Sequence, residues 1–263
     1  MTDGYDLSIV VPTYNERERL GELVAAACGV LADRRIRGEL VVVDDNSPDG
    51  TGAIADALAS RFPLQVVHRS GKLGLGSAVI EGFGRARSPV LGVMDADLSH
   101  PPSILPGMLA ALQALDVDAV VGSRYIPGGG AKNWPFLRLA MSRLACGLAW
   151  PLTPVRDATS GLFLVKRSAI EGVRISAAGF KICLELLMRS RIASIAEVPY
   201  VFADRAAGES KMTTREAMGY FLQLRDLYAL RFAKERKPRA RYRRVSRQEL
   251  LEMEQTALER RPA

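Results

Sequence analysis

Histidine is nearly missing from this chain of 263 residues: His68 and His100 are the only two. Their spacing fits no metal site, and no GxSxG elbow or Ser-His-Asp order accompanies them, which argues against zinc and serine hydrolases. Cysteine is almost as scarce. Cys28, Cys146 and Cys183 are scattered and form no CxxC pair, so inert buried thiols in a reducing cytoplasm are expected rather than a disulfide framework. Long apolar runs are lacking too. Nothing approaches the 18 or so residues a spanning helix needs, and the longest relevant run, near Leu144–Leu152, is broken by Gly147 and Pro151. The short acidic start, Met1 to Asp6, does not resemble a signal peptide.

What is present is the composition of a folded α/β protein, with 48% hydrophobic and 25% charged residues. The net charge of +7 is unevenly placed. Residues 231–247 hold nine Lys/Arg against one acid, Glu235, so this window carries +8 and the rest of the chain −1. Tyr242 is the single aromatic in it after Phe232, which gives no support to nucleic-acid binding.

Short β-branched runs alternate with helical periods. Leu7–Val11, Leu40–Val43, Leu64–His68, Val90–Met94 and Ala119–Arg124 read as buried strands. Glu16–Ala32, Thr51–Arg61, Ser77–Ala86, Asn133–Trp150 and Thr214–Ala233 read as helices, with a further helix start near Gly179–Arg189. Such alternation predicts a mostly parallel sheet covered by helices on both faces. Ligands then bind beyond the carboxyl ends of the strands. Three polar clusters fall there: Pro12–Glu16, Asp44–Ser47 and Asp95–Ser99.

Asp95-Ala96-Asp97 is the sharpest of them. Successive carboxylates on a strand point to opposite faces, so both can reach one cation only where the chain turns. A hard divalent ion suits such oxygens and keeps positions open for phosphate; the bland alternative is a polar strand end that caps the next segment. Asp45 can accept from a nucleobase or ribose, against the alternative of an Asx turn that Asn46-Ser47-Pro48 supports. Tyr14 and Glu16 offer a stacking face and an acceptor, or simply a helix N-terminus. The glycines at 71–76 lack the GxxxxGK[ST] order, which argues against a nucleotide P-loop. Arg124, Arg205 and Lys211 are candidate phosphate holders.

Taken in order, Val10–Glu16, Val43–Thr51, Leu73–Gly76, Met94–Pro102, Gly122–Tyr125, Asp157–Gly161 and Gly208–Lys211 resemble the polyprenol-phosphate mannosyltransferases, the dolichol-phosphate mannose synthase group of glycosyltransferase family 2. The resemblance covers about residues 7–215. It implies a GT-A fold, a Mg²⁺ or Mn²⁺ ion, GDP-mannose as donor, a polyprenyl phosphate as acceptor, and inversion at the anomeric carbon. It places Pro12, Tyr14, Glu16, Val43 and Asp45 on the nucleoside, and Asp95, Ala96 and Asp97 at the metal and diphosphate. Ser99 would lie near the metal, where other members can carry Gln. Arg124, Arg205 and Lys211 would hold donor diphosphate or acceptor phosphate.

The domain reading is a GT-A domain over 1–213, an amphipathic interfacial helix over 214–233, and a basic tail over 234–263 open to disorder. The helix and tail, 214–247, would lie on the cytoplasmic face of a membrane as a peripheral anchor, with or without a separate anchoring protein. Rival readings keep the fold but use UDP-glucose or another acceptor, or make the chain a non-catalytic nucleotide-sugar-binding subunit.

Overall fold

Along the first strand Leu7, Ile9 and Val11 join one hydrophobic cluster and Val10 another, all of them fully buried. A strand buried on both faces needs a layer on each side, and the chain supplies both. The computed structural model describes residues 4–173, 181–203, 214–233 and 238–261, with backbone alone for 214–216.

The described elements are β1 (Leu7–Thr13), α1 (Leu20–Asp33), β2 (Gly38–Asp44), α2 (Thr51–Ala59), β3 (Leu64–His68), α3 (Leu75–Arg85) and β4 (Val90–Val93). They continue with α4 (Leu105–Ala114), β5 (Ala119–Ser123), β6 (Gly130–Ala131), α5 (Phe136–Ala149), β7 (Phe163–Lys166) and α6 (Arg167–Ile170). The last are α7 (Ile182–Arg189), β8 (Ser194–Pro199), β9 (Val201–Phe202), α8 (Thr214–Phe232), β10 (Arg241–Arg244) and α9 (Arg247–Glu259). Eight strands form one sheet in the order β10-β8-β5-β7-β4-β1-β2-β3, while β6 and β9 pair separately. All neighbours run parallel except β7, which lies antiparallel between β4 and β5. The expected mostly parallel sheet with helices on both faces is what the chain forms.

On one face α1, α2 and α4 cover Leu7, Ile9, Val11, Leu40 and Val42; on the other α3 and α7 cover Val10, Val41, Val43 and Val121. Gly82 lets α3 seat closely, since a Cβ there would lie 2.4 Å from a Val10 methyl. At the amino ends of the strands Glu39 is fully buried. Burial opposes its ionisation, yet hydrogen bonds from Ser8 and Arg87 hold its carboxyl below the usual range. They tie β1 and β2 to the chain entering β4.

Chain order sets where a ligand can enter. From β1 the sheet grows through β2 and β3 on one side, then returns to place β4 on the other. Loops leaving β1 and β4 therefore diverge at their carboxyl ends and leave a crevice between them.

One expectation is corrected. Residues 238–261 are not a tail outside the fold: β10 pairs in parallel with β8 from Arg241↔Ser194 to Arg244↔Glu197, and α9 packs on α4. A Cβ at Gly107 of α4 would lie 3.1 Å from Leu250 of α9. The arginines that suggested a solvated tail instead charge an edge strand, where exposed charge discourages pairing with another chain. Ser246 and Glu249 form a reciprocal capping box that starts α9.

Candidate active site

Asp95 and Asp97 lie past the last residue of β4, in a turn where Leu98 adopts a left-handed φ of 61°. That turn is what frees the two carboxylates from the opposite faces a strand would impose. Asp97 is buried, and its Oδ1 accepts from the backbone N–H of Ser99 at 2.9 Å. Asp95 is partly exposed, and its Oδ2 lies 3.1 Å from His100 Nε2. Gly161, just before β7, lies against this pair: a Cβ there would meet Asp95 Oδ2 at 2.7 Å and His100 Nε2 at 3.1 Å. His100 is buried against Tyr200 and Phe202, each ring centroid 5.4 Å away.

These groups fit a divalent cation that arrives with a diphosphate. Ser99 Oγ is buried without a hydrogen-bond partner, beside the carboxylate of Asp97. Among the described residues no three His, Cys, Asp or Glu side chains are grouped to cage an ion, so phosphate and water oxygens would complete the shell, as Mg²⁺ and Mn²⁺ allow.

The cluster after β1 faces the same crevice. Glu16 N–H donates to Thr51 Oγ1 at 3.0 Å and Asn15 N–H to Ser47 Oγ at 3.0 Å, tying this loop to the one after β2. Arg19 Nη1 reaches the Asp97 carbonyl at 3.4 Å. Tyr14 is half-buried, with Lys72 Nζ 3.9 Å from its ring centre. Pro12 is half-buried at the crevice edge, whereas Val43 and Ala96 turn their side chains into the core and can offer a ligand backbone only.

Asp45 sits at the end of β2, with its carboxylate engaged from within the protein. Arg69 Nη1 pairs with Oδ1 and the Gly74 N–H donates to Oδ2 at 2.9 Å. Asp45 thereby anchors the glycine-rich 71–76 link, and its partner Arg69 belongs to no motif in the sequence. The Asx-type turn exists at its neighbour, where Asp44 Oδ2 accepts from Ser47 N–H at 3.0 Å.

Arg124 follows β5 and is buried in an ion pair. Asp157 Oδ2 accepts from the Arg124 backbone N–H at 2.9 Å and from Nε at 2.7 Å, and Oδ1 accepts from Nη2 at 2.7 Å. Burial disfavours the cation, but the bond and charge of Asp157 outweigh it and raise the guanidinium above its usual range. Trp134 and Phe202 flank it at 5.1 and 5.7 Å, and Phe202 also meets His100. The Arg124 ion pair and the Asp95 turn thus share one wall. Lys181, at the start of α7, belongs to the same region. Burial pushes its ammonium down, Arg124 adds to that, and Asp95 and Asp157 oppose it. Arg205 and Lys211 lie outside the described residues.

Of the thiols, Cys28 lies in the core on α1, whereas Cys146 adjoins the Arg124 ion pair, its Sγ 3.3 Å from Thr159 Oγ1 and 3.7 Å from Asp157 Oδ1. Cys28 and Cys146 are pushed up to about 11 by burial, and Cys183 well above its usual range.

The switch point of an α/β sheet, here edged by an aspartate pair and the Arg124 ion pair, is where such folds bind their ligands. Comparison with known proteins narrows the class. Residues 8–174 match Glycosyl transferase family 2. The chain is 41% identical over 228 residues to the dolichol-phosphate mannosyltransferase of Pyrococcus furiosus, covering 85% of this chain and 63% of that protein. It is 40% identical over 228 residues to the polyprenol monophosphomannose synthase of Mycolicibacterium smegmatis, covering 80% and 83%. In fold it matches the glucosyl-3-phosphoglycerate synthase of Mycobacterium tuberculosis, solved with Mn²⁺ and UDP, at a TM-score of 0.63 and 20% identity over 87% of this chain and 80% of that one. The chain belongs to glycosyl transferase family 2 and carries its GT-A fold.

Proposed function

We propose that the chain transfers mannose from GDP-mannose to a polyprenyl phosphate, inverting the anomeric centre, at a membrane surface. The observation that carries this is the Asp95–Asp97 turn at the switch-point crevice, in a chain whose relatives are named as mannosyl transferases to lipid phosphates. Pro12, Tyr14, Glu16 and the backbone of Val43 receive the nucleoside, while Asp45 shapes that wall through Arg69. Asp95 and Asp97 hold Mg²⁺ or Mn²⁺ with the diphosphate, Ala96 lending backbone and Ser99 its hydroxyl. A bound ion supplies charge neutralisation for the departing diphosphate.

The acceptor phosphate is largely ionised near neutral pH. Its oxygen attacks the anomeric carbon as the bond to GDP breaks, so no general base is needed. The chain's task is to align the two phosphates and hold positive charge beside them. Arg124 and Lys181 meet that need within the described residues, and Arg205 and Lys211 are assigned the same role. Asp157 occupies Arg124 Nε and Nη2, which leaves Nη1 as the nitrogen for a phosphate oxygen.

A lipid acceptor requires an apolar approach. α5 starts beside Trp134 at the site wall and presents Phe136, 85% exposed, with Leu137, Leu144 and Trp150. α8 packs on α5 through Tyr220 and Tyr228, which donate to the Ala145 and Leu148 carbonyls at 2.7 Å, and presents Phe221, 59% exposed, with Met218 and Phe232. Arg239 and Arg156 adjoin Trp150, where they can meet anionic headgroups. The membrane face we assign is therefore α5 with α8 and this basic margin. No helix of the described residues is long and apolar enough to cross a membrane.

Calorimetric titration with GDP-mannose and UDP-glucose, with Mg²⁺ or with EDTA, tests the donor assignment. GDP-mannose should bind at least about tenfold more tightly than UDP-glucose, a difference near 1.4 kcal/mol, and EDTA should weaken it. Preference for UDP-glucose, or indifference to EDTA, would overturn the assignment.

A further inference from the structure

Glu197 of β8 is fully buried, and the groups that hold its carboxylate are two backbone amides and a phenol. Oε1 accepts from the Asp157 backbone N–H at 2.9 Å, and Oε2 accepts from the Arg156 backbone N–H at 3.0 Å. The hydroxyl of Tyr242, on edge strand β10, donates to the same Oε2. Asp157 is also fully buried and grips Arg124 through three hydrogen bonds. A continuous line of bonds therefore runs from Tyr242 through Glu197 and the 156–157 backbone to Asp157 and the Arg124 guanidinium. Its outer member lies beyond residue 174, where the match to the family ends.

A carboxylate buried at this cost must be satisfied by donors, since an unpaired one would be strongly unfavourable. Here two of the three donors belong to the loop that carries Asp157, and the third comes from an element otherwise remote from the crevice. We infer that Glu197 and Tyr242 are positioning residues for Arg124: they lock the Asp157 loop so that the guanidinium is presented to a phosphate oxygen in one orientation. The inference rests on the reading of Arg124 as a phosphate holder. It makes the C-terminal strand part of the catalytic apparatus rather than a cover on the sheet edge.

Tyr242→Phe removes one oxygen and leaves Glu197 its two backbone donors, so the fold should survive. Two readouts test the role. With Trp150→Phe as background, Trp134 is the single tryptophan, and its indole faces Arg124 at 5.1 Å and Arg138 at 4.2 Å. Adding Tyr242→Phe should change acrylamide quenching of Trp134, whereas Leu250→Ala, which weakens the packing of α9 without touching this line of bonds, should not. In mannose transfer Tyr242→Phe should lower kcat/KM by about tenfold. In an Arg124→Lys background it should lower it by less than about twofold, because coupled residues are not additive. Unchanged Trp134 quenching, or an equal loss in both backgrounds, would overturn the inference. If the parent protein transfers no mannose while the Trp134 signal still responds, the proposed function falls and the positioning of Arg124 stands.

Discussion

Asp97 performs two tasks with one carboxylate. One oxygen holds the Ser99 N–H and so fixes the turn, and on the proposed reading the group also supplies negative charge to the cation and diphosphate. Asp97→Asn separates the tasks, because the amide oxygen can keep the Ser99 bond while the charge is lost. Transfer should fall by at least about a hundredfold, the scale of removing one preorganised electrostatic contact, with an unchanged melting temperature. Near-normal transfer in this variant would remove Asp97 from the site. This pair was legible in the sequence because two signals coincide there, a buried β-branched strand and an abrupt polar ending. Glu197 and Arg69 were not legible. Glu197 meets Asp157 and Tyr242, 40 and 45 residues away, and Asp45 meets Arg69, 24 away. No local pattern announces such pairs.

Among elements, the first four strands and their helices could be read to within about four residues at each end, since the strands are short and largely apolar and each helix keeps its period. The second half resisted. β7 is only four residues long, and its antiparallel course cannot be inferred from alternating β and α segments. At the C-terminus an arginine run hid an edge strand, although Ser246 and Glu249, spaced as a capping box, do mark the helix after it. α9 contributes packing through Leu250, which is buried against α4. Leu250→Ala should destabilise the protein by about 2–3 kcal/mol, the lower part of the range for buried leucines, in chemical denaturation. A loss under about 0.5 kcal/mol, typical of surface positions, would mean that α9 is not part of the core.

At the scale of the whole molecule, one crevice and one apolar face adjoin. On the proposed reading the loops after β1, β2 and β4 receive the nucleotide and the exposed apolar side chains of α5 and α8 meet the lipid, with Trp134 and Arg124 between them. That arrangement would let a soluble donor enter from water while the proposed lipid acceptor stays at the bilayer. Flotation with anionic vesicles should carry the protein up. Phe136→Glu and Phe221→Glu together should reduce the membrane-binding constant roughly a hundredfold or more, because each buried phenyl contributes about 1.5–3 kcal/mol. Both side chains are exposed, so the melting temperature should not move. Undiminished flotation would place the membrane contact elsewhere.

The most direct test is transfer of radiolabelled mannose from GDP-mannose to a short polyprenyl phosphate, with Mg²⁺ or Mn²⁺ and with EDTA. Label should reach the organic phase only when the metal is present. GDP-mannose bound at the crevice, with label never leaving the aqueous phase, would contradict it.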